Sequence, residues 1–295
     1  MRLLSGTFSF LDRPWGKLAY RTSGTGRPLL LLHSLALSSG MWEPVLSEFA
    51  AGRRIVTVDL RGHGRSAWDW QAFSVEDMAD DICCLIDALG VPGGEPAPVD
   101  VIGMSMGGTV AVALAARHPK LVGRLVACDT TAWYGPNAPE AWEQRARAAE
   151  TTTREMQVPF QTDRWFGESF RRHHPETVSA VVGIFLSTSP EAHAAACRAL
   201  GAYDGRSTLE AITATTLVAT GEEDFATPPS MGVDLAAGIS GATLQVWPGL
   251  RHFALIESSA LRSAIRAFLS GDTVPPPTPQ SGCCQAVPAD TRSEL

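Results

Sequence analysis

No apolar run in this chain is long enough to cross a bilayer. Hydrophobic residues make up 45% of the 295 positions, yet none of the uninterrupted stretches reaches the roughly 18 residues that a spanning helix needs. The opening segment "MRLLSGTFSFLDRPWG" has too short an apolar core for an export signal, so a cytoplasmic location is expected. Basic excess is missing too: 24 Lys and Arg against 31 Asp and Glu leave a net charge of −7. That balance gives a nucleic-acid backbone no reason to bind. Cysteine is sparse, and its six positions lack the spacing of a zinc site. Cys83 and Cys84 fall in the apolar pattern of "SVEDMADDICCLIDALGV", Cys128 in the strand-like "RLVACDT" and Cys197 in an alanine-rich helical stretch. These four read as small buried hydrophobes, while Cys283 and Cys284 lie in a polar tail. No metal is expected.

What is present is an alternation. The runs "RPLLLLHS" (27–34), "RRIVTVDL" (53–60), "PVDVIGMS" (98–105), "RLVACDT" (124–130), "TTLVATG" (215–221) and "ATLQVWPG" (242–249) are short and nearly all apolar. Such runs suit strands buried on both faces of a parallel sheet. Helical patterns separate several of them. One opens on Ser74 as an N-cap, carries acids in its first turn and closes on Gly90. Another, "MGGTVAVALAARHP", stops before Pro119. The pattern predicts an α/β fold built on a mostly parallel, doubly wound sheet. The first 25 residues read as an antiparallel pair joined near Pro14–Gly16.

From about 135 to 211 the alternation stops and helical patterns rich in tryptophan and arginine take over. The expected organisation is a core of residues 1–134 and 212–271, an inserted helical cap of 135–211, and a disordered proline-rich tail of 272–295. An insertion at the carboxyl edge of the sheet would cover whatever site lies there.

The candidate site starts from "VDVIGMSMGGTV" (99–110), where Gly103 and Gly107 each stand two residues from Ser105. Glycine weakens strands and helices, so the cluster needs a steric reason. A sharp strand-to-helix turn supplies one, with the serine strained and its neighbours lacking Cβ atoms. A serine nucleophile needs a base and the base an orienting acid, expected here in the order Ser, acid, His. "GLRHFALIE" offers His252 beyond one strand, and "TGEEDFATPP" offers Asp224 beyond another, ahead of Glu222 and Glu223. Asp129, at the end of the run 124–130, is the rival acid. His33 and His63 read as loop-shaping residues, and His118, His173, His174 and His193 as helix or cap residues. Two backbone donors for an oxyanion are expected from Met106, directly after the serine, and from Leu35 in "LLHSLALSSGMW".

With these residues in view, the chain resembles the α/β-hydrolase superfamily over nearly all of residues 5 to 270, and within it the 3-oxoadipate enol-lactonases. The likeness rests on "LLHSLALSSGMWEPVL", "VDLRGHGRS", "GMSMGG", "DRWF", "CRALGAYDGRSTLEAI" and "TGEEDFATPP", of which "DRWF", "CRALGAYDGRSTL" and "ATPP" are the more telling. The bulky Phe253 after His252 departs from that pattern. The resemblance implies a cofactor-independent serine hydrolase that opens a small lactone. A negatively charged lactone needs a local cation, for which Arg145 and Arg164 stand out, each near a tryptophan (Trp142, Trp165), with Trp133 lining the pocket from the core side. Another lactonase, a carboxylesterase and a carbon–carbon hydrolase of ring-cleavage products share the fold and stay open as alternatives. A non-catalytic ligand-binding protein is disfavoured by the intact Ser105, Asp224 and His252. The expected partner is a small lactone or ester, with neither nucleic acid nor membrane; a homo-oligomer stays open.

Overall fold

The computed structural model describes residues 7–90 and 98–277. Eight strands form one sheet in the order β1-β2-β4-β3-β5-β6-β7-β8. They are β1 (Ser9–Arg13), β2 (Gly16–Ser23), β3 (Arg27–Leu32), β4 (Arg53–Val58), β5 (Val99–Met104), β6 (Val122–Cys128), β7 (Thr215–Gly221) and β8 (Thr243–Trp247). β1 and β2 form the antiparallel edge, and the pairings from β4 through β8 are parallel. All six residues of β5 are buried, as a strand covered on both faces requires.

The strand order reverses beside β3: the chain moves outward from β3 to β4, then crosses back to place β5 on β3's other side. At such a switch point the loops leaving neighbouring carboxyl ends diverge and leave a crevice. Leu32 pairs with Gly103 near those ends, so the loop after β3 and the turn carrying Ser105 open side by side. Helix α1 (Val75–Leu89) begins with a capping box between Ser74 and Asp77. Helix α2 (Met106–Arg117) is buried from Met106 through Ala116.

Between β6 and β7 the chain adds no strand to the sheet. It forms α3 (Ala138–Thr151), α4 (Arg154–Trp165), α5 (Glu168–His173), α6 (Pro175–Ser187) and α7 (Pro190–Ala202). Helices α3 and α7 approach closely: a Cβ on Gly201 would stand 2.6 Å from the Cβ of Trp142. After β7 come α8 (Pro229–Gly238), α9 (Ala254–Glu257) and α10 (Ser259–Ser270). Among the described residues, no helix is long and apolar enough to cross a membrane.

Phe253 has a structural use. It is fully buried, stacks on Trp165 at 5.2 Å and meets Phe166 edge-on at 5.4 Å. Its amide donates to the Trp165 carbonyl (2.9 Å). Each such aromatic pair adds about 1 kcal/mol beyond the area it buries. The residue after His252 therefore clasps the helical insertion to the sheet.

The segment expected to be an unstructured tail from residue 272 is seated at its start. Val274 packs against the core, and the Gln245 side-chain amide donates to the Pro275 carbonyl (2.8 Å). Residues 278–295, with Cys283 and Cys284, lie outside the described part.

A second tie joins the insertion to the loop of His252. The Glu257 carboxylate accepts the amides of Gly167 (3.1 Å) and Arg251 (3.4 Å). Burial raises Glu257 from an ordinary value of 4.5 to about 7. The folded chain then holds a proton that the unfolded chain releases, so this group's contribution is complete below about 4.5 and is lost as pH rises through about 7. The stability of the wild type relative to Glu257→Gln should accordingly fall between pH 5 and pH 8 in thermal or urea unfolding. A difference that stays constant over that range would contradict the assignment.

Candidate active site

Ser105 sits between β5 and α2 with φ 54° and ψ −121°, a conformation that costs a non-glycine residue about 1–3 kcal/mol. Its surroundings over-determine it. The Ser105 amide donates to the Cys128 carbonyl (2.9 Å), and its own carbonyl accepts from the Thr109 amide (2.9 Å) and the Thr130 hydroxyl (2.7 Å). The flanking glycines have the steric reason that the sequence required. A Cβ on Gly103 would lie 2.3 Å from the Gly107 carbonyl oxygen, and one on Gly107 would lie 2.2 Å from the Leu32 carbonyl oxygen.

The strained turn lifts the serine hydroxyl to the end of a hydrogen-bonded relay. His252 Nε2 lies 2.8 Å from Ser105 Oγ, and His252 Nδ1 lies 2.8 Å from Asp224 Oδ2. The Asp224 carboxylate also accepts the Ala226 amide (2.7 Å), the Thr227 amide (3.0 Å) and the Thr227 hydroxyl (2.7 Å). Burial works against its charge, but His252 and Thr227 together hold Asp224 below the usual carboxylate range. As an anion, Asp224 accepts a hydrogen bond from Nδ1–H and so leaves the Nε2 lone pair free to take the proton of Ser105.

Asp129, the rival acid, has a different set of partners. It too has positive φ, at 48°. Its Oδ1 accepts the Gly221 amide (2.9 Å) and its Oδ2 the Ala254 amide (3.2 Å). Burial, with the Asp224 charge nearby, pushes its carboxyl well above the usual range. Asp129 thus bridges the loop that leads to Asp224 and the loop that follows His252, and hydrogen-bonds to neither side chain.

The loop after β3 is shaped by two neutral histidines. His33 donates from Nδ1 to the Ser34 carbonyl (2.8 Å) and accepts the Leu60 amide at Nε2 (2.9 Å). His63 donates to the Arg61 carbonyl (2.9 Å) and accepts the Ala36 amide (3.2 Å). Burial lowers both, His63 to about 3, so both rings keep these roles at neutral pH. Between the anchored amides of Ser34, bonded to Met41 sulfur at 3.3 Å, and Ala36, Leu35 lies at the pocket wall. Among the described residues its amide has no acceptor. Met106 opens α2, so no carbonyl lies one helical turn behind its amide.

Ser105 and His252 face a pocket whose wall includes Leu35, Arg145, Arg164 and Trp165. Trp133 is not in that wall. It pairs with Asp204 in an isolated bridge, and its ring lies 3.5 Å from the Arg206 guanidinium. The next residue, Tyr134, lines the pocket in its place. Gln161, Phe185 and His193 also line it and had no signal in the sequence beyond their place in helical stretches.

The arginines define the pocket's electrostatics. Arg145 lies over the Trp142 ring at 4.2 Å, and neither Arg145 nor Arg164 pairs with a carboxylate among the described residues. Burial lowers both, Arg164 to about 9, where the like charge of Arg145 adds to the effect. Two partly buried like charges at one pocket repel each other, and the Asp224 charge offsets only part of this at Arg164.

The fold and the serine relay are those of a hydrolase acting on ester-type bonds. The chain belongs to the alpha/beta hydrolase fold family, whose model matches residues 27–259. It is similar to 3-oxoadipate enol-lactonase 2 of Acinetobacter baylyi, with 27% identity over 254 residues, 85% of this chain and 92% of that protein. Among solved structures it is similar to the enol-lactonase of Burkholderia xenovorans, at 30% identity and a TM-score of 0.79, covering 86% of this chain and 96% of that one. A thermophilic esterase from Thermogutta terrifontis, with malate bound, matches at 30% identity and a TM-score of 0.81, covering 90% and 98% of the two chains.

The contacts of the two acids set an expected ranking. Asp224→Asn should lower kcat by roughly 10⁴-fold, since the amide favours the wrong imidazole tautomer. Asp129→Asn removes one acceptor from a bridge between loops and should lower the melting temperature more than kcat. Steady-state kinetics and thermal unfolding of both variants check this; the reverse ranking of kcat would transfer the orienting role to Asp129.

Proposed function

We propose that the chain hydrolyses a small carboxylate-bearing lactone through an acyl-enzyme on Ser105, and that 3-oxoadipate enol-lactone is its substrate. The observation that carries the reading is the pair Arg145 and Arg164, desolvated and without a carboxylate partner among the described residues, in the pocket of Ser105. A substrate carboxylate offsets the cost of keeping those charges together. The relatives support this choice of class: two are enol-lactonases, and a third is an esterase with the dicarboxylate malate bound.

In this reading His252 takes the Ser105 proton as Oγ attacks the lactone carbonyl, and Asp224 stabilises the imidazolium. The Leu35 and Met106 amides receive the oxyanion; removing one such donor typically costs about 3–4 kcal/mol of barrier stabilisation. Collapse breaks the ring C–O bond, and the leaving enol oxygen collects the proton from His252. The enol then tautomerises to a ketone, which draws ring opening forward. A water molecule, deprotonated by His252, attacks the acyl-enzyme and returns Ser105 with the free acid. Residues 135–211 act as a cap that contributes Arg145, Arg164 and Trp165 to the substrate pocket. Water is the sole co-reactant.

The test compares charged and neutral esters of equal reach, 4-nitrophenyl hydrogen succinate and 4-nitrophenyl butyrate, beside the enol-lactone itself. A charge-assisted hydrogen bond contributes about 1.5–3 kcal/mol. Arg145→Met or Arg164→Met should therefore lower kcat/KM for the succinate ester and the enol-lactone by roughly 10- to 100-fold. The butyrate ester should change little. Variants that hydrolyse the two esters in the wild-type ratio would remove the carboxylate from this site, and a wild type that prefers the butyrate ester would make the protein a general esterase.

A further inference from the structure

His193 lines the pocket but belongs neither to the serine relay nor to the arginine pair. It projects from α7, is 4% exposed, and its Nδ1 lies 2.7 Å from Arg154 Nη1. A guanidinium can only donate, so this Nδ1 accepts and the ring proton sits on Nε2. Arg154 is itself immobilised. Its Nε and Nη2 donate to the Thr188 carbonyl at 3.2 and 2.9 Å, its Nη2 also donates to the Ser189 carbonyl at 3.0 Å, and its plane lies over the Phe185 ring at 4.6 Å. The imidazole is held edge-on to that same ring, with centroids 6.2 Å apart.

The contrast with the other buried histidines is informative. His33 and His63 use both ring nitrogens on protein groups. His193 uses one, and among the described residues Nε2–H has no acceptor. Burial and the neighbouring cations Arg154, Arg145 and Arg164, with His63, push the ring well below its ordinary value, so it stays neutral through physiological pH. Arg154 behind the ring also draws electron density from it, which strengthens the remaining N–H as a donor. A donor on a pocket wall is matched there by water or by a ligand, and a ligand that displaces the water must bring an acceptor of its own.

We propose that His193 Nε2–H is a specificity-determining donor that receives an uncharged oxygen of the substrate, a ketone or hydroxyl, apart from both the carboxylate and the reacting carbonyl. The pocket then reads two features at once: charge at Arg145 and Arg164, and a neutral acceptor at His193. The inference rests on this pocket receiving the substrate, but not on the substrate being charged.

The experiment uses a neutral pair of equal length, the 4-nitrophenyl esters of 4-oxopentanoate and pentanoate. A neutral hydrogen bond of ordinary strength predicts that wild type favours the oxo ester by roughly 2- to 10-fold in kcat/KM. His193→Phe should abolish that preference, read as the ratio of the two esters on the same variant whatever its effect on pentanoate turnover. His193→Gln keeps an acceptor for Arg154 and an N–H for the ligand, so it should retain part of the preference. A wild type that does not discriminate, or a His193→Phe variant that discriminates as wild type does, overturns the proposal. Where His193→Phe does not fold, His193→Gln and the wild type carry the test. Long-range ¹H–¹⁵N spectra of the wild type should show His193 neutral and protonated on Nε2 from pH 5.5 to 8.5; an imidazolium or the Nδ1–H form overturns it. Because both esters are uncharged, this result is independent of the succinate-to-butyrate ratio that tests the carboxylate reading.

Discussion

The strained backbone of Ser105 is the constraint on which the remainder of the site depends. A residue at φ 54° and ψ −121° holds only if every alternative is blocked. Here the chain packs so tightly that Gly103 and Gly107 cannot carry a side chain, and three hydrogen bonds from β6, α2 and Thr130 pin the serine's peptide groups. The consequence is geometric. The hydroxyl projects beyond the sheet edge, toward an imidazole presented by a loop three strands away in the sheet. That imidazole is fixed by Asp224, and Asp129 joins the two loops behind them. The strain at one residue is thus balanced by contacts spread over β3, β5, β6, β7 and the loop after β8.

A second layer of organisation is electrostatic. The protein is acidic overall, with a net charge of −7, yet two partly buried arginines face its pocket. Arg154 is satisfied by carbonyls and by His193, whereas Arg145 and Arg164 have no such carboxylate or carbonyl partner among the described residues. In the proposed reading a carboxylate-bearing substrate supplies the partner that these charges lack. The insertion supplies all three arginines, and its Trp165 and Phe166 pack it against Phe253 of the sheet domain.

Much of this is legible in the sequence, for local reasons. The strands are readable because residues buried on both faces are continuously apolar, and the observed β7 matches the run at 215–221. The serine turn is readable because its steric demand is written directly as glycine. Trp133 shows the limit of such reading. Which of two adjacent residues faces a pocket depends on the local pairing, and the bridge from Trp133 to Asp204 turns that ring toward Arg206 and gives the pocket to Tyr134. His193 was unreadable for another reason. Its role depends on Arg154, 39 positions earlier in the chain, and an alanine-rich helix gives no local sign of that partner. Phe253 stands out in the sequence only as a bulky departure from the family pattern, and the structure spends it on clasping the insertion, because Trp165 and Phe166 close over it.

We propose that the geometry around Ser105 makes its hydroxyl a nucleophile. Reaction of the purified protein with a fluorophosphonate, followed by peptide mapping in a mass spectrometer, tests this most directly. One adduct is expected, on Ser105, and it disappears in His252→Ala while the variant stays folded. A folded wild-type protein that leaves Ser105 unmodified, or that takes the label on another serine, would contradict it.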